Sequence, residues 1–275
     1  MNTYVTPSIQ KIEKMFLAQQ NNITSSIARQ ISNDSIFSNT NSLNLITAPM
    51  TFLYEDSRPF RDPVLVAPSQ VGLIYMIIVT FFSFNFFSDV HQKVAKFNLK
   101  NHHFLFYRVA STIISFFVLS FFYSLVSLVM QVDMQVAFGK SGFLVYWMTS
   151  FLTMWAVGAM NEIMGMLLIL LYPPLLGFWM LFWVIINISP TFTPLALSPK
   201  FFRYGYGLPI HNSYEITKVI FFNTYKGQLG RNYGILVAWV VIETIALVPT
   251  VILFGKTMGK RAAQAKAAQA KAAQD

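Results

Sequence analysis

The sequence predicts an all-α polytopic membrane protein, a bundle of about five transmembrane helices with a structured outer loop before the last span. From Gly142 to Ser189 the chain runs through 48 residues with one charged side chain, Glu162. Hydrophobic residues make up 55% of the chain and charged residues 11%, against about 25% charged in soluble domains. Because lipid offers no partners to backbone N–H and C=O groups, we expect the spans to be helices.

Five segments are apolar over the roughly 20 residues that a transmembrane helix needs. They are Val71–Phe87, Phe104–Met130, Gly142–Met160, Ile163–Ile188 and Gly234–Gly255. The third and fourth spans could meet at Asn161–Glu162 or at Pro173–Pro174, since proline breaks or kinks a helix. We predict the junction at Asn161–Glu162, which puts a polar pair at the membrane surface and leaves Pro173–Pro174 as a kink.

The spans divide the chain into three regions. Residues 1–70 are interpreted as the remnant of an extracellular domain, residues 71–255 as the transmembrane domain with an outer loop at 189–231, and residues 256–275 as a cytoplasmic Ala/Gln/Lys tail. Residues 1–70 contain no signal peptide. We therefore expect the chain to be the C-terminal part of a longer protein whose first span and ectodomain precede it.

Orientation follows from the basic residues, which concentrate on the cytoplasmic side of membrane proteins. An outside N-terminus and a cytoplasmic tail put nine of them in two short inner segments and at the mouth of the second span. These are Lys93, Lys96, Lys100, Arg108, Lys256, Lys260, Arg261, Lys266 and Lys271. Sequons at Asn22 and Asn33 fit N-glycosylation of an outer N-terminal region, although such short patterns also arise by chance.

The outer loop, residues 189–231, is rich in proline and aromatic residues. Proline restricts the backbone and aromatic rings anchor at membrane interfaces, so we expect this segment to be ordered and partly embedded. A surface loop that only covers helix ends is the alternative. A helix is predicted from Ser213, as its N-cap, through Thr224. The candidate interface residues are Phe201, Phe202, Arg203, Tyr204 and Tyr206.

Glu243, Asn187 and Glu162 are candidates for an intramembrane polar path. Glu243 lies midway along the fifth span, where an ionisable group costs at least about 2.5–3.5 kcal/mol. We expect it to face the bundle interior, either as a proton or cation site or as a protonated structural group bonded to a neighbouring helix. Glu162 is expected to be a helix-end residue at the interface. Asn187 and Asn85 are candidates for hydrogen bonds between helices.

Several chemistries are excluded or disfavoured. The chain has no cysteine, which excludes disulfides and Cys-based metal sites. His91, His102 and His103 could bind a metal, but without a carboxylate at helical spacing a solvated basic loop is favoured. Gly255-Lys-Thr257 lacks the earlier glycine of a P-loop. We expect no enzymatic activity, cofactor or nucleic-acid partner, and the net charge of +9 suits anionic membrane lipids.

Three runs carry a resemblance to a known family: FWVIINISPTFTP (182–194), LSPKFFRYGYGLPIHN (197–212) and LGRNYGILVAW (229–239). They resemble the C-terminal region of fungal nitrosoguanidine-resistance membrane proteins. That family is similar to the membrane subunits of ABC-2-type transporters, with one span, a large outer domain and five further spans.

The resemblance implies a multi-pass protein of the fungal plasma membrane that confers resistance to toxic compounds. It would act by transport of a small-molecule toxicant or by altering the lipid distribution of the membrane. The alternative is a non-transporting membrane organiser or regulator that binds lipid or a partner transporter. Membrane lipids are the expected partners, together with further copies of the chain or another membrane protein.

Overall fold

The computed structural model describes residues 5–30, 55, 63–95 and 101–272. These residues are almost entirely helical and contain no strand, so the all-α prediction is confirmed. The chain divides into two units, residues 1–59 and residues 60–275. The first unit contains helix α1, Val5–Gln30.

Six further helices of at least 14 residues follow one another in the described part of the second unit. They are α2 (Gly72–Ala95), α3 (Asn101–Val129), α4 (Gly142–Leu171), α5 (Leu175–Ile188), α6 (Pro209–Phe222) and α7 (Leu229–Ala272). Short helical turns connect some of them, among them a π-helical turn at Ala67–Val71 and a 3-10 helix at Lys200–Gly207. Helix α7 continues without a break from the membrane segment into the Ala/Gln/Lys tail.

Four described helical stretches are long and apolar enough to cross a membrane: Pro63–His91, His102–Val129, Gln135–Leu171 and Lys226–Gln269. A further apolar stretch, Leu175–Thr191, is shorter; it rises about 25 Å against a hydrocarbon thickness of about 30 Å. Large apolar side chains lie on the outer faces of the bundle, as expected where helices meet lipid. The membrane-bundle prediction is confirmed: the described residues contain four helical stretches long enough to span and one shorter apolar helix, where the sequence predicts about five spans.

The predicted junction at Asn161–Glu162 is wrong, because α4 continues through both residues and buries them. The helix ends instead at Leu171, and the next residue, Tyr172, has an extended backbone with φ −157° and ψ 99°. A residue before proline is pushed out of the helical region by the proline ring, and Tyr172 precedes Pro173. The predicted fourth span, Ile163–Ile188, is therefore the end of α4 followed by α5.

The helix predicted at Ser213–Thr224 is present but shifted, since α6 begins at Pro209 and ends at Phe222. Proline is well suited to the first turn, because its fixed φ is helical and its missing N–H has no partner there. Asn223 adopts the left-handed conformation with φ 47°, a common way to end a helix. The segment 189–231 therefore contains a buried helix and several 3-10 turns.

Helix α4 is the centre of the bundle and packs against α2, α3, α5, α6 and α7. Its glycines let neighbouring helices approach closely. A Cβ atom on Gly158 would lie 2.3 Å from the Phe116 ring of α3, and one on Gly165 would lie 2.8 Å from the Phe84 ring of α2.

Contacts at the two ends of α4 give the directions of its neighbours. Late in α3, the Ser127 hydroxyl lies 3.2 Å from the Tyr146 hydroxyl, early in α4, so these helices are antiparallel. Late in α7, Arg261 donates a hydrogen bond of 2.6 Å to the carbonyl of Leu170, at the end of α4. Helices α4 and α7 therefore run in the same direction, and Arg261 satisfies one of the carbonyls that a helix C-terminus leaves without a partner.

Candidate functional site

A buried ion pair joins α3 to α4. The Arg108 guanidinium contacts the Glu162 carboxylate, and the two side chains are 7% and 6% exposed. Thr112, one turn after Arg108, donates from its hydroxyl to the second carboxylate oxygen of Glu162 at 2.9 Å. A charge inside a protein needs both an opposite charge and hydrogen bonds, and this arrangement supplies both.

The ion pair corrects two sequence-based expectations. Glu162 is not a helix-end residue at the membrane surface, because it lies nine residues before the end of α4 and is buried. Arg108 does not belong with the inner surface charges, because its side chain is turned into the bundle. Eight basic residues remain to support the predicted orientation. The signal in the sequence was one arginine and one glutamate, each inside a predicted span or at its edge, and such residues normally pair.

A narrow cleft lies between α2 and α3, with α4 at its base and the ion pair in its wall, and three phenylalanine rings line it beside the polar groups. Its volume is about 20 Å³, room for about one water molecule. Helices α2 and α3 each pack mainly on α4 and touch one another little. Five hydroxyl side chains line the cleft: Thr80, Ser83, Ser111, Thr112 and Ser115.

His91 closes one end of this cleft. Its Nδ1 atom lies 3.1 Å from the Tyr107 hydroxyl, which connects the end of α2 to the start of α3. The rings of His102 and His103 contact each other on the exposed start of α3. The described residues contain no group of three or more potential metal ligands, and residues 96–100 of this loop lie outside the described part.

Asn161 connects three helices next to the cleft. Its side-chain NH₂ donates to the carbonyl of Ile77 in α2 at 3.2 Å, and its side-chain oxygen accepts from the indole N–H of Trp179 in α5 at 3.1 Å. Sequence reasoning missed this role because it placed Asn161 at the membrane surface. A single asparagine within a long apolar run was the available signal, since such residues hydrogen-bond across helices.

Glu243 has very different surroundings from Glu162. It lies in α7, is 2% exposed, and both carboxylate oxygens are buried without a hydrogen-bond partner. Val240 and Leu247, one turn before and after it, are buried in two apolar clusters that also contain Ala156 and Ile163 of α4. Glu243 therefore lies between these clusters where α7 packs on α4.

Asn187 completes the predicted polar path, but it does not join the two glutamates. It is buried in α5, and its side-chain NH₂ donates to the carbonyl of Trp183 in its own helix at 3.0 Å. None of the hydrogen bonds and ion pairs of the described residues connects Asn187, Glu162 and Glu243. These three residues have separate surroundings, so they do not form a continuous polar path.

The predicted outer-loop residues form a ring cluster at the 3-10 helix Lys200–Gly207. Phe201, Phe202 and Tyr204 contact one another with ring centroids 5.5–6.3 Å apart, and Arg203 is exposed. The Tyr206 ring contacts His211 and lies 5.7 Å from the Arg231 guanidinium of α7. Trp239 of α7 donates to the carbonyl of Gly207 at 2.7 Å, which holds this segment against α7. Its location at a membrane interface stays a prediction.

The other predicted sites fall partly outside the described part of the chain. Asn22 lies within α1, but its side chain is not among those described, and Asn33 lies outside the described residues. Asn85 lies in α2 and its side chain is likewise not described. Glycosylation and the helix contact of Asn85 stay predictions.

Comparison with known proteins places this bundle in a family. Residues 1–245 match the family described as "Protein of unknown function (DUF3533)". The chain belongs to the DUF3533 family. No solved structure matches the chain.

One relative of this DUF3533 chain is the "Uncharacterized endoplasmic reticulum membrane protein YJR015W" of Saccharomyces cerevisiae. The two are 44% identical over 227 residues, which is 82% of this chain and 44% of the relative. The chain thus spans less than half the length of this relative. Both findings agree with an integral membrane protein, whereas neither gives support to the nitrosoguanidine-resistance resemblance, the ABC-2 relation or a plasma-membrane location.

Proposed function

We propose that this DUF3533 protein moves phospholipid headgroups across the membrane along the cleft between α2 and α3. The observation that carries the proposal is the cleft itself, in which five hydroxyl groups and the Arg108–Glu162 pair lie between two apolar helices. A polar surface inside the hydrocarbon lowers the cost of bringing a charged headgroup through it. The acyl chains can remain in the surrounding lipid while the headgroup passes.

The side chains of the cleft suit a phosphate headgroup. A guanidinium carries five N–H donors in a planar fork and binds phosphate well. Glu162 neutralises Arg108 when the cleft is empty, and a phosphate can share the guanidinium when it enters. Serine and threonine hydroxyls both donate and accept hydrogen bonds, so they can follow a moving headgroup without fixing it in one position.

The cleft is too small in this structure for a headgroup or for a soluble toxicant, so either ligand would have to separate α2 from α3. The cleft volume is about 20 Å³, whereas drug-sized ligands use pockets of about 300–1,000 Å³. Since α2 and α3 touch little, they can separate to admit a headgroup. An apolar groove of about 310 Å³ lies between α4 and α5 and could bind an acyl chain. It is lined by Leu168, Leu175, Phe178, Trp179 and Phe182.

The distribution of lipids between the two leaflets affects how permeable the membrane is to toxicants. In this proposal, toxicant resistance is therefore a consequence of lipid movement. Direct export of a toxicant is the second candidate, and the buried carboxyl of Glu243 favours it because such groups mark proton-coupled pathways. Neither version breaks a covalent bond in its substrate, so the proposal includes no enzymatic activity.

The location and wider relationship are also proposals. The name of the yeast relative supports the endoplasmic reticulum membrane over the plasma membrane, and a fluorescent fusion protein in living cells tests this directly. The relation to nitrosoguanidine-resistance proteins and ABC-2-type membrane subunits rests on the sequence runs at 182–194, 197–212 and 229–239 and on the order of elements, with apolar helices followed by a structured segment before the last span.

Reconstitution into liposomes tests the lipid proposal. A tail-labelled fluorescent phospholipid is placed in both leaflets, and an impermeant reductant bleaches the outer one. We expect the protein to carry labelled lipid from the inner to the outer leaflet, so that the reductant also bleaches the lipid that began in the inner leaflet. The double variant Arg108→Met/Glu162→Leu should lose this activity while keeping its fold. Proton-driven toxicant uptake without lipid movement would favour the second candidate. Lipid binding without either movement would favour the membrane-organiser alternative.

A further inference from the structure

We propose that Glu243 is a proton-binding site in the contact between α4 and α7, and that its proton controls how closely the two helices pack. The site takes a proton as its ligand, and the proposal does not depend on lipid movement. It rests on the burial of the carboxyl, the absence of a partner within the described residues, and the construction of α7 around it.

The first step concerns charges near Glu243. Helix α4 carries one charged residue, Glu162, which is already paired with Arg108 of α3. Helix α3 also contacts α7, and its two histidines, His102 and His103, are exposed at the start of the helix. Helix α6 carries Glu215 and Lys218, which pair with each other at 2.6 Å, and His211, which contacts the ring of Tyr206. Within α7 the nearest charged residues are Arg231 and Lys256, each about 18 Å or more along the helix.

The second step is energetic. An ionised carboxylate without an opposite charge or a hydrogen-bond donor is far too costly in an apolar interior, and such a group takes up a proton instead. The packed arrangement of α4 and α7 therefore requires the neutral acid. Loss of the proton favours any arrangement in which water reaches the carboxylate, and that requires α7 to move away from α4.

The third step concerns the ability of α7 to move. Pro249, less than two turns after Glu243, has no N–H to donate to the carbonyl of Ile245, which weakens the helix at this point. On either side of this point, the hydroxyls of Thr244 and Thr250 donate to backbone carbonyls one turn earlier, at 2.6 and 2.8 Å. Such bonds bend helices. Pro249 and the two threonines therefore make this part of α7, within two turns of Glu243, the place where we expect the helix to bend.

The first experiment uses a membrane-soluble carbodiimide, dicyclohexylcarbodiimide, on the protein in lipid. A carboxylic acid adds across one C=N bond of this reagent: the proton goes to nitrogen and the carboxyl oxygen bonds to the central carbon. The acyl group then moves from that oxygen to nitrogen, and the stable N-acylurea retains every atom of both reactants. A protonated carboxyl in an apolar site is the group that follows this route.

We expect mass spectrometry to find the adduct on Glu243 and not on Glu162, because Glu162 has a cation, Arg108, as its partner and Glu243 has no partner among the described residues. Glu162 is thus a control within the same molecule, and Glu243→Gln should remove the adduct. Modification should slow as the pH is raised. An unmodified Glu243, or equal modification of both residues, would overturn the proposal.

The second experiment measures helix packing without relying on the reagent's access to the carboxyl. The chain has no cysteine, so a Leu247→Cys variant carries a single thiol in the contact between α4 and α7. Raising the pH ionises the thiol and so speeds its labelling in any background, and the Glu243→Gln background measures that effect alone. With Glu243 present, the rate of labelling by a small thiol reagent should rise with pH by a several-fold larger factor. The same pH dependence in both backgrounds would contradict control of packing by the proton.

Discussion

Arg108 of α3 contacts Glu162 of α4 in the interior of the bundle, and both side chains are more than nine-tenths buried. Each charge alone would be an uncompensated charge among membrane helices. The contact therefore fixes how α3 and α4 lie against each other, and it places a guanidinium in the wall of the cleft.

Removal of one member of this pair should be more harmful than removal of both. Arg108→Met or Glu162→Leu alone should lower the free energy of unfolding by about 3–5 kcal/mol, because the remaining charge has no partner. The double variant should recover most of this loss. Tryptophan fluorescence during denaturation in detergent can follow unfolding.

The control for the Arg108–Glu162 prediction is Glu215→Ala, which breaks a partly exposed pair with Lys218 and should change stability by less than about 1 kcal/mol. A double variant as unstable as the single ones would contradict this account.

Two glycines in neighbouring helices should respond oppositely to alanine. Gly158→Ala introduces a methyl group 2.3 Å from the Phe116 ring, and overpacking of this kind costs about 1–3 kcal/mol. Gly177 of α5 has nothing within 4 Å of its added Cβ, so Gly177→Ala should be neutral or stabilise the helix by up to about 1 kcal/mol. The same denaturation measurement compares them. Equal effects would mean that α3 and α4 are not in close contact at Gly158.

Acid should weaken the region around α6 through His211. Burial, the largest cause, lowers the pKa of His211 from its usual value of 6.5; the Glu215 charge opposes this shift, while Lys218 and Arg231 add to it. The unfolded chain therefore binds a proton near pH 6.5 that the folded chain binds only at lower pH. Stability should fall as the pH drops below about 6.5. His211→Gln should give a shallower fall, and an unchanged profile would assign the pH dependence to other groups.

The predicted orientation can be tested with single cysteines at two exposed lysines. Lys93, near the end of α2, is expected on the cytoplasmic side, and Lys140, before α4, on the opposite side. In sealed microsomes with the cytoplasmic face outward, an impermeant maleimide should label Lys93→Cys at once and Lys140→Cys only after detergent is added. The reverse pattern would invert the topology.

Much of the fold could be predicted because transmembrane helices are recognisable in a sequence as long apolar segments. The break between α4 and α5 could not be placed, since a polar pair and a proline pair both interrupt the same apolar run. The structure decides between them because Asn161 has hydrogen-bond partners on α2 and α5, whereas the residue before Pro173 cannot continue the helix.

The candidate site was harder to predict than the fold. Glu243 was expected inside the bundle from its position in a span. The pairing of Arg108 with Glu162 was not predicted, because the two residues are far apart in the sequence and meet only when α3 packs against α4. The hydroxyl groups of the cleft gave no signal, because serine and threonine can bond to carbonyls of their own helix anywhere. Thr80, for example, donates to the carbonyl of Ile77 at 2.9 Å.

Reversible closure of the cleft tests the central claim most directly. Because the chain has no cysteine, a Ser83→Cys/Ser111→Cys variant carries one thiol on each side of the cleft, and a reducible bifunctional thiol reagent can join α2 to α3. The account predicts that lipid movement in liposomes stops when the two helices are joined and returns on reduction, while the reagent leaves the rate of each single-cysteine variant the same as before treatment. Lipid movement that continues at full rate through a joined cleft would contradict it.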